Sequence, residues 1–181
     1  MANAGSDTAS YEDNWGTAFV NLDIGRGFNN AAEGDTYQGI ENVKGGVFND
    51  FFIGDHGANR LEGALGADTL VGNGGADWFL MTYAPGQTNP FSSANVDTIL
   101  DFTHGEDIIG LLSSAFGGLA AVNSSNFVLG TAAGDADDRL IYDQSTGTLW
   151  FDADGNGAGA GQMVVILANH APLAATDFAV M

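Results

Sequence analysis

Between residues 45 and 80 one large apolar side chain recurs at every ninth position: Phe52, Leu61, Leu70 and Phe79. An acid or its amide always stands two places earlier, as Asp50, Asn59, Asp68 and Asp77, and a glycine opens each unit, as Gly45, Gly54, Gly63 and Gly72. This phase predicts a six-residue turn followed by a three-residue strand. In the strand only the middle side chain points inward, because neighbours alternate across a strand. In the turn glycine reaches φ > 0 without a Cβ clash. Two such strands, one on each side, make a coil of eighteen residues, and coils stack at the ~4.8 Å spacing of paired strands. The predicted fold is all-β: a short parallel β-roll of nonapeptide repeats with β-rich N- and C-terminal caps.

The flanks lose the nine-residue period. Residues 17–24 (TAFVNLDI) alternate, with Val20, Leu22 and Ile24 on one face, and predict a strand; Ile40 and Val43 are assigned to the core. Residues 1–44 are therefore read as a polar tail plus cap, 45–80 as the roll and 81–181 as the C-terminal cap. Within that last part PGQTNPFSSAN is a loop, and Val96, Ile99, Phe102, Ile108 and Ile109 are candidate core residues. A short helix is expected within 113–126. DRLIYD, GTLWFDAD and QMVVILA predict three strands, with a hairpin turn at STG between the first two. Caps are expected because an open coil end exposes both core and strand edge.

Stacking concentrates charge. Residues eighteen apart lie one above the other, which puts Asp50 over Asp68 and Asn59 over Asp77. Two carboxylates about 5 Å apart repel by roughly 1 kcal/mol in water and several-fold more at lower effective dielectric. Tight glycine turns also leave backbone carbonyls facing the same gap. An all-oxygen set of carbonyls and one or two carboxylates suits calcium; magnesium demands tighter octahedral geometry and keeps its waters. Solvated turn residues would explain Gly and Asp as residue types, but not their fixed phase with the apolar position. The units are imperfect: Phe48 stands where the first needs glycine, Asn59 replaces the second unit's acid, and Ala64 replaces the third unit's second glycine.

Composition sharpens this picture. Twenty-three acids against 4 bases in 181 residues give a formal net charge of −19, which disfavours nucleic acid and anionic membrane surfaces, favours cations, and strains the compact state by self-repulsion. With no cysteine, disulfides and thiolate metal sites are excluded. MANAGSDTAS has neither the basic start nor the apolar core of a Sec signal, and no stretch approaches a ~20-residue membrane span.

The four units resemble the RTX (repeats-in-toxin, hemolysin-type) family of calcium-binding proteins. The resemblance implies a parallel β-roll, Ca²⁺ as the bound ion, and a bacterial, secreted, extracellular protein whose partners include the type I secretion machinery. It also implies ligands: one site from Gly45, Val47 and Asp50 with Ala64, Gly66 and Asp68, and another from Gly54, His56 and Asn59 with Asn73, Gly75 and Asp77. Residues 96–109 resemble the segment that closes such rolls, which adds Asp97 and Asp107 as metal candidates; Gly110 departs from the acid often found there. The segment from Phe127 onward resembles the family's C-terminal region, and LAATDFAVM resembles its uncleaved secretion signal.

Other motifs are weaker. Asp152-Ala-Asp154-Gly-Asn156-Gly157 matches half an EF-hand loop, but Met163 stands where the bidentate Glu is required. His56, His104 and His170 lack zinc-helix spacing, and no nucleophile elbow, H-E-x-x-H or phosphate loop occurs, so no enzymatic activity is expected. The alternative function is an appended polysaccharide-binding module of a larger extracellular enzyme or adhesin. Trp15, Trp150 and Tyr142 would be its sugar platforms, although core packing is the commoner use of such residues.

Overall fold

The computed structural model describes residues 5–83 and 95–181, so most of the expected loop over 85–95 lies outside the described residues. Its strands are β1 (Thr8–Ser10), β2 (Phe19–Asn21), β3 (Arg26–Phe28), β4 (Asn42–Lys44), β5 (Phe51–Ile53), β6 (Arg60–Glu62), β7 (Thr69–Val71), β8 (Trp78–Met81), β9 (Asp97–Ile99), β10 (Ile108–Leu111), β11 (Phe127–Leu129), β12 (Leu140–Asp143), β13 (Thr148–Phe151), β14 (Gln162–Leu167) and β15 (Phe178–Val180). Consecutive repeats alternate between two sheets. One runs β1-β4-β6-β8-β10-β15 and the other β11-β12-β13-β14-β9-β7-β5-β2-β3.

Every pair through the repeats is parallel, with the register the nonapeptides demand: Val43↔Leu61↔Phe79 in the first sheet and Phe52↔Leu70 in the second. The fold is the all-β parallel roll. The inward position of each strand is fully buried, so Leu61, Phe79, Phe52 and Leu70 form one continuous core between the sheets. Losing any of these large side chains would cost about 2–5 kcal/mol, since neither sheet can collapse into the gap without breaking its ladder.

The ladder continues past the repeats with altered spacing. Ile109 stacks on Phe79 and Ile99 on Leu70, although 30 and 29 residues of chain separate them instead of 18. Val20 stacks on Phe52, and Ala9 on Val43. At the N-terminal end β2 turns back as the antiparallel partner of β3. The predicted strand over 17–24 is therefore shorter than expected, and Ile24 is 57% exposed rather than in the core. The cause is local: Asn21 Oδ1 accepts the Ile24 N–H, and Gly25 takes φ +63°. At the other end β12, β13 and β14 form an antiparallel meander, and β14 then pairs parallel with β9. The helix expected within 113–126 is a single 3₁₀ turn, Ser113–Phe116, ended by Gly117 at φ +63°. Of the predicted core set, Ile99, Phe102 and Ile109 are buried, whereas Val96 and Ile108 are only half-buried because they flank the inward positions.

Candidate metal centre

The turns stack as the strands do, and so build two columns. In the first, Ala18 N–H donates to Asp50 Oδ1 (2.7 Å), Asp50 N–H to Asp68 Oδ1 (2.7 Å), and Asp68 N–H to Asp97 Oδ1 (3.0 Å). In the second, Asn59 N–H donates to Asp77 Oδ1 (2.8 Å) and Asp77 N–H to Asp107 Oδ1 (3.0 Å). Each acid thus spends one oxygen on the amide of the coil above and turns the other toward its own turn. Those other oxygens are the notable atoms. Asp68 Oδ2 and Asp77 Oδ2 are buried, their residues are 1% exposed, and neither has a hydrogen-bond partner. An unpartnered buried carboxylate oxygen costs several kcal/mol unless it is protonated or meets a cation.

The surroundings are oxygen-rich and too tight for side chains. A β-carbon at Gly63 would collide with Asp68 Oδ2, and one at Gly72 with Asp77 Oδ2. A β-carbon at Gly45 would collide with the Gly63 carbonyl, and one at Gly66 would lie 2.5 Å from the Phe48 carbonyl. Gly75 meets the Gly57 carbonyl in the same way. The second residues of the two later turns, Ala64 and Asn73, adopt φ +70° and +67°, and Gly66 and Gly75 take φ +151° and +115°. Ala64 therefore carries strain that glycine would avoid.

All fourteen residues singled out from the sequence fall along these two columns. Gly45, Val47 and Asp50 lie over Ala64, Gly66, Asp68 and then Asp97, while Gly54, His56 and Asn59 lie over Asn73, Gly75, Asp77 and then Asp107. Individual roles differ. The Asn73 side chain donates to the Gly54 carbonyl (2.8 Å), and the His56 ring points outward, with Nε2 3.6 Å from Asp23 Oδ1. Asn59 Oδ1 accepts the Asp55 N–H (2.8 Å), and its amide donates to the Glu41 carbonyl (3.0 Å). An amide here supplies the donor that a second carboxylate would lack, so this level of the column is closed by a hydrogen bond. Asp101 caps the Gly72 and Asn73 N–H groups (2.9 and 2.8 Å).

Two acids escaped the sequence reading of the sites. Asp7 extends the second column above Glu41, donating its N–H to Glu41 Oε2 (2.9 Å), and its own Oδ2 is buried without a partner. The signal was present, an acid two places before the inward Ala9, but no glycine turn marked it. Asp177 accepts from Ala174 N–H (2.7 Å) and Gly105 N–H (3.0 Å) and meets His104 Nδ1 at 2.6 Å, which ties β15 to the turn carrying Asp107.

Burial dominates the electrostatics. It pushes Asp50 up to about 6 against the Ala18 and Gly46 N–H groups that favour the anion. Burial and then the charge of Asp107 bring Asp77 to about 7, the Asn59 N–H opposing. Asp68 is raised by burial and by Asp97, and Asp97 and Asp107 are raised chiefly by burial. Such a set resists full ionisation without a counter-cation, and a hard cation seated among the carbonyls would reverse each shift. Among the described residues no group of three or more His, Asp or Glu converges on one point.

No curated protein matches the chain. A family model, the RTX calcium-binding nonapeptide repeat in four copies, matches residues 35–70 and 53–80, the stretch that carries the repeat turns of both columns. Residues 35–80 are accordingly a calcium-binding β-roll of the RTX nonapeptide-repeat family.

Proposed function

We propose that this chain is the calcium-binding module of a bacterial secreted protein, and that it folds on calcium after type I export. The observation that carries the reading is the pair of unpartnered oxygens, Asp68 Oδ2 and Asp77 Oδ2, facing carbonyl-lined glycine turns. Asp50, Asp68 and Asp97 would hold cations in one column and Asp77 and Asp107 in the other, joined by carbonyls of the turn residues named above. Calcium supplies the positive charge that lets these acids ionise together. The residues themselves hold the coils in register, exclude water and present oxygens only.

In a cytosol poor in free calcium the stacked acids would keep the roll from closing, which suits threading through a channel; outside, calcium near ~10⁻⁴–10⁻³ M would lock it. The absence of cysteine supports a chain that must travel unfolded without oxidation. Among the described residues no helix is long and apolar enough to cross a membrane. The role is structural and not enzymatic.

Calcium titration of chelator-treated protein, followed by far-UV circular dichroism and tryptophan fluorescence, tests this directly. Trp78 follows Asp77 and opens β8, so it reports closure of the second column. A coil-to-β transition driven by calcium and not by equal magnesium is expected. A β-spectrum indifferent to calcium would overturn the proposal. For export, removing residues 173–181 is expected to abolish release through a type I system while sparing synthesis.

A further inference from the structure

The outward face of the C-terminal meander is not bare. Ile141, Trp150 and Met163 are cross-strand neighbours there, on the side opposite the fully buried Tyr142, Leu149 and Val165. Two loops, residues 130–138 and 152–161, rise around them and enclose a cleft of about 450 Å³. Ile141 and the half-buried Trp150 line its base, Thr131 one wall, and Asp152 and Asn156 the other.

The walls are built before any ligand arrives. Asn156 N–H donates to the Asp135 carbonyl (2.9 Å), joining the two loops. Asp138 Oδ2 accepts from Gly134 N–H (2.7 Å) and Asp135 N–H (3.2 Å), and Asp154 Oδ2 accepts from Gly159 N–H (3.0 Å). Asp152 is held by the bond from its N–H to the Arg139 carbonyl (2.8 Å). Gly157, Gly159 and Gly161 leave the remaining wall as bare backbone.

We infer that this cleft binds a neutral saccharide unit. The volume falls in the roughly 300–1,000 Å³ range of small-molecule sites. An indole face takes the C–H face of a sugar ring, while Asp152, Asn156 and Thr131 accept and donate around its hydroxyls. Charge selects among sugars. The two loops carry Asp135, Asp137, Asp138, Asp152 and Asp154 against the single cation Arg139, which repels uronates, sulfated sugars and phosphates. The cleft gives the polysaccharide-binding alternative a place in the fold. It lies outside the nonapeptide repeats and stands independently of the calcium sites.

The test is isothermal titration of the whole calcium-loaded chain with neutral mono- and oligosaccharides of glucose, galactose, mannose and N-acetylglucosamine, with oligogalacturonate and spermine as charged controls. Saturable binding of at least one neutral saccharide is expected, with affinity falling about tenfold or more in Trp150→Ala and Gly161→Leu. Gly161 suits the second variant because a β-carbon there meets its nearest neighbours at ordinary distances of 3.7–3.8 Å, so the added side chain fills the cleft without breaking the hairpin. Should Trp150→Ala fail to fold, Gly161→Leu decides alone. Three results would overturn the inference: no neutral saccharide binds, binding is unmoved by a correctly folded Gly161→Leu, or spermine binds tighter than every sugar. The calcium-driven change in circular dichroism is read separately in each variant, so failure of the cleft and failure of the calcium sites are distinguishable.

Discussion

The repeat turns and the loops of the C-terminal meander are built from the same residues, glycine and aspartate, yet their acids behave in opposite ways. In the roll Asp50, Asp68 and Asp77 are buried one above another and pushed up. In the meander Asp143 accepts from Ser145 N–H, Ser145 Oγ and Thr146 Oγ1 (3.0, 2.6 and 3.0 Å), and those donors hold it below the usual carboxylate range. Asp154 is likewise lowered, first by the Gly159 N–H. The meander completes its polar bonding within each turn, whereas the roll leaves carboxylate oxygens for something outside the chain. Burial of a stacked acid creates a demand that a single exposed turn never has. The comparison explains why one part of a uniformly acidic chain leaves buried oxygens for a cation and another satisfies its acids locally.

The largest break in that contrast should come from pH in the absence of calcium. The roll acids have folded-state values raised above the ~3.9 of an unfolded aspartate, so their contribution to stability is full below about pH 4. It is lost as pH rises through about 6 for Asp50 and about 7 for Asp77, with Asp68, Asp97 and Asp107 acting in the same direction. Chelated protein should therefore hold more β-structure at pH 5 than at pH 8, with any residual melting transition at least about 5 °C higher at pH 5, and saturating calcium should reverse the order. Melting curves at the two pH values, with and without calcium, check this.

Next in size, Asp68→Ala should weaken calcium binding roughly 10- to 100-fold, as expected for loss of about 1.5–3 kcal/mol of charged contact. Asp68 is the middle acid of its column, bonded to the coils on both sides, so no neighbour replaces it. Titration followed by Trp fluorescence reads the change, and an unaltered midpoint would show that the column is not the site.

Asn59→Asp sharpens the comparison from inside the roll. It puts a carboxylate where an amide donates to the Glu41 carbonyl and to Asp55 Oδ1 (3.0 and 3.3 Å). Without calcium the variant should lose about 1–3 kcal/mol. With calcium it should recover and bind more ions, which chelator-competition stoichiometry would detect. The smallest effect belongs to Asp143→Ala in the meander, which should leave the calcium midpoint unchanged because its bonds are local and exposed. A shift there would mean that the meander and the roll fold as one coupled unit.

Much of this was legible along the chain. A nine-residue period with one inward position fixes strand length, sheet alternation and the register of Phe52 with Leu70, because a slip by one residue would turn every apolar side chain outward. The same period alone places Asp50 over Asp68 and Asn59 over Asp77. It could not place Asp97 on Asp68 or Asp107 on Asp77 by counting, since the chain between them is lengthened by loops of a size no local pattern sets. Asp7 lacked a glycine turn to announce it, and Ile24 alternated in phase with the core but turned outward at Asn21 and Gly25.

The sequence by itself therefore determined the roll and the stacking of its repeat acids, because each depends on spacing within one or two coils. Only the tertiary structure decided where those columns end, which oxygens stay unpartnered, and that two distant loops enclose Trp150. These outcomes rest on contacts between segments far apart in the chain, whose geometry is set by packing against the finished core and not by any periodicity that the segments carry themselves.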